Sequence, residues 1–127
     1  MIGRRLHVAV ALVALALLAA CGPSARTRTL HTTLATVDAT RAGFIAYDDQ
    51  QQAAIIDRST SFEDGRAHLE AYRAARAGVV LAFEAAYRAI ALALVDKADV
   101  GQVLTAALRL REAVDALRAW RLPEGTP

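Results

Sequence analysis

The chain has 127 residues, a length that accommodates one small domain. Its fifteen basic and thirteen acidic residues give a net charge of +2, but Arg4 and Arg5 precede a long apolar segment at the N-terminus. The residues after position 20 balance thirteen positive against thirteen negative charges, so electrostatics gives no reason to expect nucleic-acid binding. A single cysteine excludes an internal disulfide and a metal site built from several cysteines.

Residues 1–20 have the layout of a signal peptide. The two arginines are followed by an uncharged apolar stretch from Val8 to Ala20. As a helix rising about 1.5 Å per residue, this stretch is too short to cross a hydrocarbon core of about 30 Å. A basic start, a short apolar stretch and small residues at the end are typical of a segment that is removed on secretion. We therefore expect residues 1–20 to be cleaved.

The end of this segment, Leu18-Ala19-Ala20-Cys21, resembles the lipobox of bacterial lipoproteins. The resemblance implies that the Cys21 thiol receives diacylglycerol and that the peptidase cuts on the N-terminal side of that residue. Lipoproteins carry two or three acyl chains, which hold a protein stably where one chain would not. Because Gly22 stands where an inner-membrane lipoprotein has Asp, the resemblance further implies the outer membrane, with the protein facing the periplasm. The alternatives are an ordinary signal peptide with an incidental cysteine or an uncleaved anchor.

The rest of the chain has the composition and periodicity of an all-α fold. In the full sequence thirty alanines against three prolines favour helices, and after position 26 apolar residues recur at helical spacing. The expected segments are a lipidated Cys and tether at 21–26, a bundle at 27–122 with helices at about 27–58, 62–95 and 100–121, and a tail at 123–127. Short connections force neighbouring helices to alternate in direction. The sequence thus predicts an antiparallel three-helix bundle, made of a long helical hairpin and a shorter third helix.

Charged residues interrupt the apolar stripes of the first two helices. When the hairpin is folded so that opposed residue numbers add to about 124, apolar residues meet: Leu30 with Leu94, Leu34 with Ile90, Val37 with Tyr87, Phe44 with Val80, and Ile55 with Leu69. The same register sets Asp48 opposite Arg76 and brings Arg41 within one residue of Glu84. Buried ion pairs add little stability but fix alignment, so we interpret both as structural pairs. A polar cavity that binds a ligand or ion is the alternative.

The difference in helix length leaves the hairpin tip without a third helix. The last helix, at about 1.5 Å per residue, reaches back only to about Arg73. Two helices cannot fully cover the apolar residues Ile55, Ile56 and Phe62, which makes them a candidate partner surface. The alternative is that these residues simply close the end of the hairpin.

No group of residues in the sequence indicates catalysis or a bound cofactor. His31 and His68 lie at opposite ends of the hairpin and cannot share a metal, although His68 falls near Asp57 and Asp64. We expect no metal, no cofactor and no enzymatic activity.

The sequence therefore predicts a lipid-anchored helical protein of the bacterial envelope, with an interaction or structural role. Its partners would be the membrane, through the N-terminal lipid, and an envelope protein or a second copy of the chain. Two alternatives remain open, a carrier that holds a small ligand or metal inside the bundle, and an accessory lipoprotein of phage or prophage origin.

Overall fold

The structure is a computed structural model that describes residues 23–122. Three helices make up this part of the chain: α1 (Pro23–Arg58), α2 (Phe62–Leu94) and α3 (Val100–Ala119). Each helix contacts both of the others, and no strand is present between residues 23 and 122. The prediction of an all-α, antiparallel three-helix bundle is confirmed. The expected signal peptide, the lipidated Cys21 and the tail at 123–127 lie outside the described residues.

Helix α1 begins earlier than expected, at Pro23 instead of residue 27. Proline suits the first helical position, where its missing N–H would have no partner anyway. Arg26, one turn later, ties this start to the far end of α2, because its guanidinium donates to the carbonyl oxygens of Ala93 and Ala98 and to the carboxylate of Asp96. Residues 23–26, which were expected to belong to the tether at 21–26, are therefore helical.

The turn between α1 and α2 is closed by hydrogen bonds within the turn. The Ser61 hydroxyl accepts from the Asp64 backbone N–H, and the Asp64 carboxylate accepts from the Thr60 N–H. The Ser59 hydroxyl donates to the Ile55 carbonyl. A Cβ on Gly65 would lie 3.3 Å from the Ser59 side chain, so glycine allows this close approach.

The turn between α2 and α3 has a different construction. The Lys97 N–H donates to the Leu92 carbonyl and the Asp96 N–H to the Ala93 carbonyl, which is the Schellman arrangement. Asp96 takes the left-handed conformation that this requires, with φ at 58°. Asp99 then caps α3 in a reciprocal capping box with Gln102.

The core lies along the line where the three helices meet. Its fully or nearly fully buried apolar residues are Leu30, Val37, Phe44, Ile55, Tyr72, Val79, Phe83, Ala86, Ile90, Ala93, Val103, Leu110, Val114 and Leu117. On α2 the buried arc passes through Val79 and Ala93, whereas the expected stripe ran through Val80 and Leu94, which are 37% and 49% exposed. Because α2 faces two neighbours, its buried arc turns toward the space between them.

Helix α3 ends at Ala119, two residues before the expected boundary. Trp120 leaves the helix with an extended backbone, and its ring packs edge-on against Tyr72 with centroids 5.5 Å apart. Leu122 also packs against the core. The third helix thus reaches the level of Tyr72, close to the predicted limit at Arg73, and the chain beyond the helix continues to cover the core.

By length and composition, α2 is apolar enough to cross a membrane, the one such helix among the residues that the structure describes. It nevertheless buries seven residues against α1 and α3, as the core helix of a bundle does. Length and composition alone therefore do not distinguish these two roles for α2.

Candidate functional site

A buried polar cluster lies between α1 and α2. Asp48 is 6% exposed, and its Oδ1 lies 3.1 Å from Nε of Arg76. One turn along α1, the Gln52 side-chain amide donates to the other carboxylate oxygen of Asp48 at 3.1 Å. The structure thus brings together the two residues that the register sets opposite each other.

This ion pair is close but poorly aligned. Asp48 Oδ1 and Arg76 Nε are both buried, and neither has a hydrogen bond of good geometry; the same is true of the fully buried Tyr72 hydroxyl beside them. Buried polar atoms without good partners cost free energy, which offsets the attraction between the two charges. Such a cluster contributes little net stability, and its role in fixing the alignment stays a prediction.

The pKa of the Tyr72 hydroxyl is raised above its ordinary value of 10.0. The main cause is burial, which removes water from the phenolate, and the neighbouring Asp48 carboxylate raises the pKa further. The Arg76 charge acts in the opposite direction with a smaller effect. Tyr72 is therefore neutral throughout the physiological pH range.

The second expected pair, Arg41 with Glu84, does not form. Both residues are exposed and line one open groove, but no ion pair joins them in the described bundle. The neighbouring Tyr87 donates instead to Asp38 at 2.6 Å. Burial raises the pKa of Tyr87, and the hydrogen bond to Asp38 and the charge of Asp38 raise it further. The expectation was wrong because the buried arc of α2 turns toward α3, which leaves Glu84 on the outside.

The expected partner surface at the hairpin tip is present in part. Phe62 is 86% exposed and Ile56 is 58% exposed, and both line a groove of about 490 Å³ together with Leu69. Ile55, in contrast, is 4% exposed and belongs to the core. Including Ile55 was wrong, because the chain after α3 extends over this side and sets Trp120 and Leu122 around the same cavity as Ile55.

His31 and His68 lie far apart, as their spacing in the sequence requires. His31 is exposed, and His68 lies 3.3 Å from Asp64, one turn earlier on α2. Within residues 23–122, no group of three or more His, Cys, Asp or Glu side chains is placed to hold a metal. Asp57 therefore does not complete a metal site with His68 and Asp64.

Sequence reasoning missed an apolar groove on the outer face of α2 and α3. Leu81 is 64% exposed and Leu108 is 57% exposed, and the groove between them has a volume of about 1000 Å³. Ala85 and Leu104 also line it. The signal in the sequence is a second pair of apolar residues at helical spacing on each helix, Leu81 with Ala85 and Leu104 with Leu108, outside the buried stripe.

Comparison with known proteins adds no relative. No protein-family model matches the chain, and neither the curated proteins nor the solved structures contain a significant match.

Proposed function

We propose that this chain is a non-enzymatic lipoprotein of the bacterial envelope, held in the outer membrane by a lipid on Cys21 and facing the periplasm. The observation that carries the proposal is the order of features at the N-terminus. Two arginines, a short apolar stretch, two small residues and the one cysteine of the chain follow one another as in lipoprotein precursors.

The start of α1 is compatible with this anchorage. One residue, Gly22, separates Cys21 from the first residue of the helix. A bundle attached so closely would stand at the membrane surface, with the tip between α1 and α2 at its far end.

We further propose that the protein acts by contact with another protein of the envelope, through Phe62 and Ile56 at that tip. Exposed apolar side chains rimmed by polar ones are typical of partner surfaces. Phe62 supports this role because an aromatic ring that is 86% exposed contributes almost nothing to the core of this bundle.

Anchorage is tested by phase partitioning of cell extracts in a detergent that separates on warming. The wild type should enter the detergent phase and incorporate labelled palmitate, and Cys21→Ala should do neither. Ser24→Ala, a change outside the lipobox, is the matched control and should behave as the wild type. A Cys21→Ala variant that partitions and labels normally would contradict the lipid anchor.

The interaction role is tested by a photo-crosslinking residue at position 62 in intact cells. Position 108 on the side of the bundle is the control, because Leu108 is also more than half exposed. Adducts formed at 62 but not at 108 would support contact through the tip. Absence of any adduct, with the protein present in the membrane, would contradict it.

A further inference from the structure

One end of the bundle gathers the start of α1 and the turn between α2 and α3. Arg26 holds these segments together through its bonds to Ala93, Asp96 and Ala98. We call the four residues Leu94, Val95, Asp96 and Lys97 the base edge.

The base edge presents apolar side chains to the outside. Leu94, the last residue of α2, is 49% exposed, and Val95, which follows it, is 61% exposed. The Schellman hydrogen bonds from Asp96 and Lys97 reverse the chain directly after these residues, and the left-handed conformation of Asp96 fixes that reversal. The exposure is therefore built into a defined turn.

The base edge also lies where the chain leads toward Cys21. Two Cα steps join Cys21 to Pro23, and Arg26 follows one helical turn later, so the Cα of Cys21 lies within about 12 Å of the Cα of Arg26. Arg26 in turn contacts Asp96 directly. A headgroup layer is several ångströms deep on each side of a bilayer, which is the same scale as this separation.

The charges at this end suit a lipid surface. The carboxylate of Asp96 is paired with the Arg26 guanidinium, and that of Asp99 is engaged in capping α3. Lys97 and Arg28 are exposed. Apolar side chains flanked by basic ones are typical of segments that lie in the headgroup region.

We propose that the base edge inserts Leu94 and Val95 into the headgroup layer of the bilayer that holds the lipid on Cys21, so that the bundle stands end-on with the tip pointing away. This inference rests on the proposed lipid anchor and adds an orientation to it. The protein would contact the membrane at two points, the acyl chains and the base edge.

The test uses the full-length lipidated protein in vesicles of phosphatidylethanolamine and phosphatidylglycerol. Once the thiol of Cys21 carries lipid, a cysteine introduced by Val95→Cys is the one free thiol and accepts a polarity-sensitive fluorophore. Phe62→Cys at the other end of α2 and Leu108→Cys on the side of the bundle are matched controls. All three replaced side chains are more than half exposed, so labelling leaves the core intact.

The proposal expects a blue-shifted emission at position 95 that nitroxides attached near the lipid headgroups quench, together with unshifted, unquenched emission at 62 and 108. Quenching at 108 would mean that the bundle lies on its side along the α2–α3 groove and would overturn the proposal. A blue shift at 95 without quenching by lipid nitroxides would overturn it too, because protein would then cover the edge.

Failure of the anchor gives a different result. If unlabelled wild-type protein reacts with the fluorophore at Cys21 and stays in the aqueous fraction, both the anchor and the inference fall. If the protein stays with the vesicles but position 95 reports water, the inference falls and the anchor stands.

Discussion

From Leu30 to Phe44, helix α1 packs its buried side chains against an apolar interior, where the rings of Phe44 and Phe83 lie 5.5 Å apart. Beyond Phe44 the interior changes, because Asp48, the Nε atom of Arg76 and the Tyr72 hydroxyl are buried within the following two turns. The hydrophobic effect is non-directional, so burial in the first half constrains the alignment of the helices less than paired charges do. We predict that the second half accepts fewer alignments, since a shift of the helices would separate the buried Asp48 carboxylate from Arg76. We infer that stability and alignment are supplied by different halves of the same bundle.

The largest expected effect is on the apolar half. Phe83→Ala should lower the free energy of unfolding by about 3–5 kcal/mol, because it removes a nearly buried ring and leaves a cavity beside Phe44. Urea denaturation followed by circular dichroism measures the loss. Leu81→Ala, on the exposed side of the same helix, is the control and should change stability by no more than about 0.5 kcal/mol. Equal losses in the two variants would contradict the assigned core.

The next effect is on the polar half. Asp48→Ala should lower the free energy of unfolding by about 3 kcal/mol, the lower end of the range for a broken buried ion pair. The loss is at the lower end because the Arg76 side chain is 34% exposed, so water can partly solvate its charge. The double variant Asp48→Arg with Arg76→Asp should recover part of that loss. If the losses of stability of the single variants Asp48→Arg and Arg76→Asp simply add in the double variant, the two residues do not act as a pair.

A smaller loss of stability is expected when the N-terminal caps of α2 and α3 are removed. Asp99→Ala and Ser61→Ala should each cost about 1 kcal/mol, since each removes one side-chain acceptor for a backbone N–H. The loss should be greater for Asp99, whose charge also faces the positive end of a helix dipole. Asp99→Asn keeps the side-chain acceptor but removes the charge, so it separates the two contributions. An Asp99→Asn variant as unstable as Asp99→Ala would assign the whole effect to charge.

At neutral pH, Tyr72→Phe should change the free energy of unfolding least of these variants. The difference from the wild type should change as the pH rises above about 10. The folded chain holds the Tyr72 proton more tightly than the unfolded chain, so its contribution is fully present below about pH 10 and is lost as the pH rises above that value. Stability of the wild type should fall above pH 10, and Tyr72→Phe should remove much of that fall. Denaturation series from pH 8 to 11 measure it. Parallel profiles for the two proteins would contradict the role of Tyr72.

The fold was predictable because its signals are local. Apolar spacing, the serine and aspartate caps and the two short connections define three antiparallel helices, and a numerical register was enough to pair Asp48 with Arg76. A register between two helices leaves out the third helix, however. Because α2 also packs against α3, its buried side differs from the side that a two-helix pairing predicts. That difference left Glu84 outside and Val79 inside.

The candidate surfaces were harder to predict than the helices. Whether Ile55 is exposed depends on where Trp120 and Leu122 lie after the last helix ends, which no local pattern determines. Exposure of Leu81 and Leu108 likewise depends on how α2 and α3 meet. The lipobox-like motif lies outside the described residues, so its function has to be tested by chemistry.

Mass spectrometry of the N-terminal peptide of the protein, extracted from bacterial membranes, tests the lipid anchor most directly. If Cys21 is the lipid anchor, the mature chain begins at Cys21 and carries diacylglycerol on its sulfur. A chain that begins at any other residue, or a Cys21 with a free thiol, would contradict it.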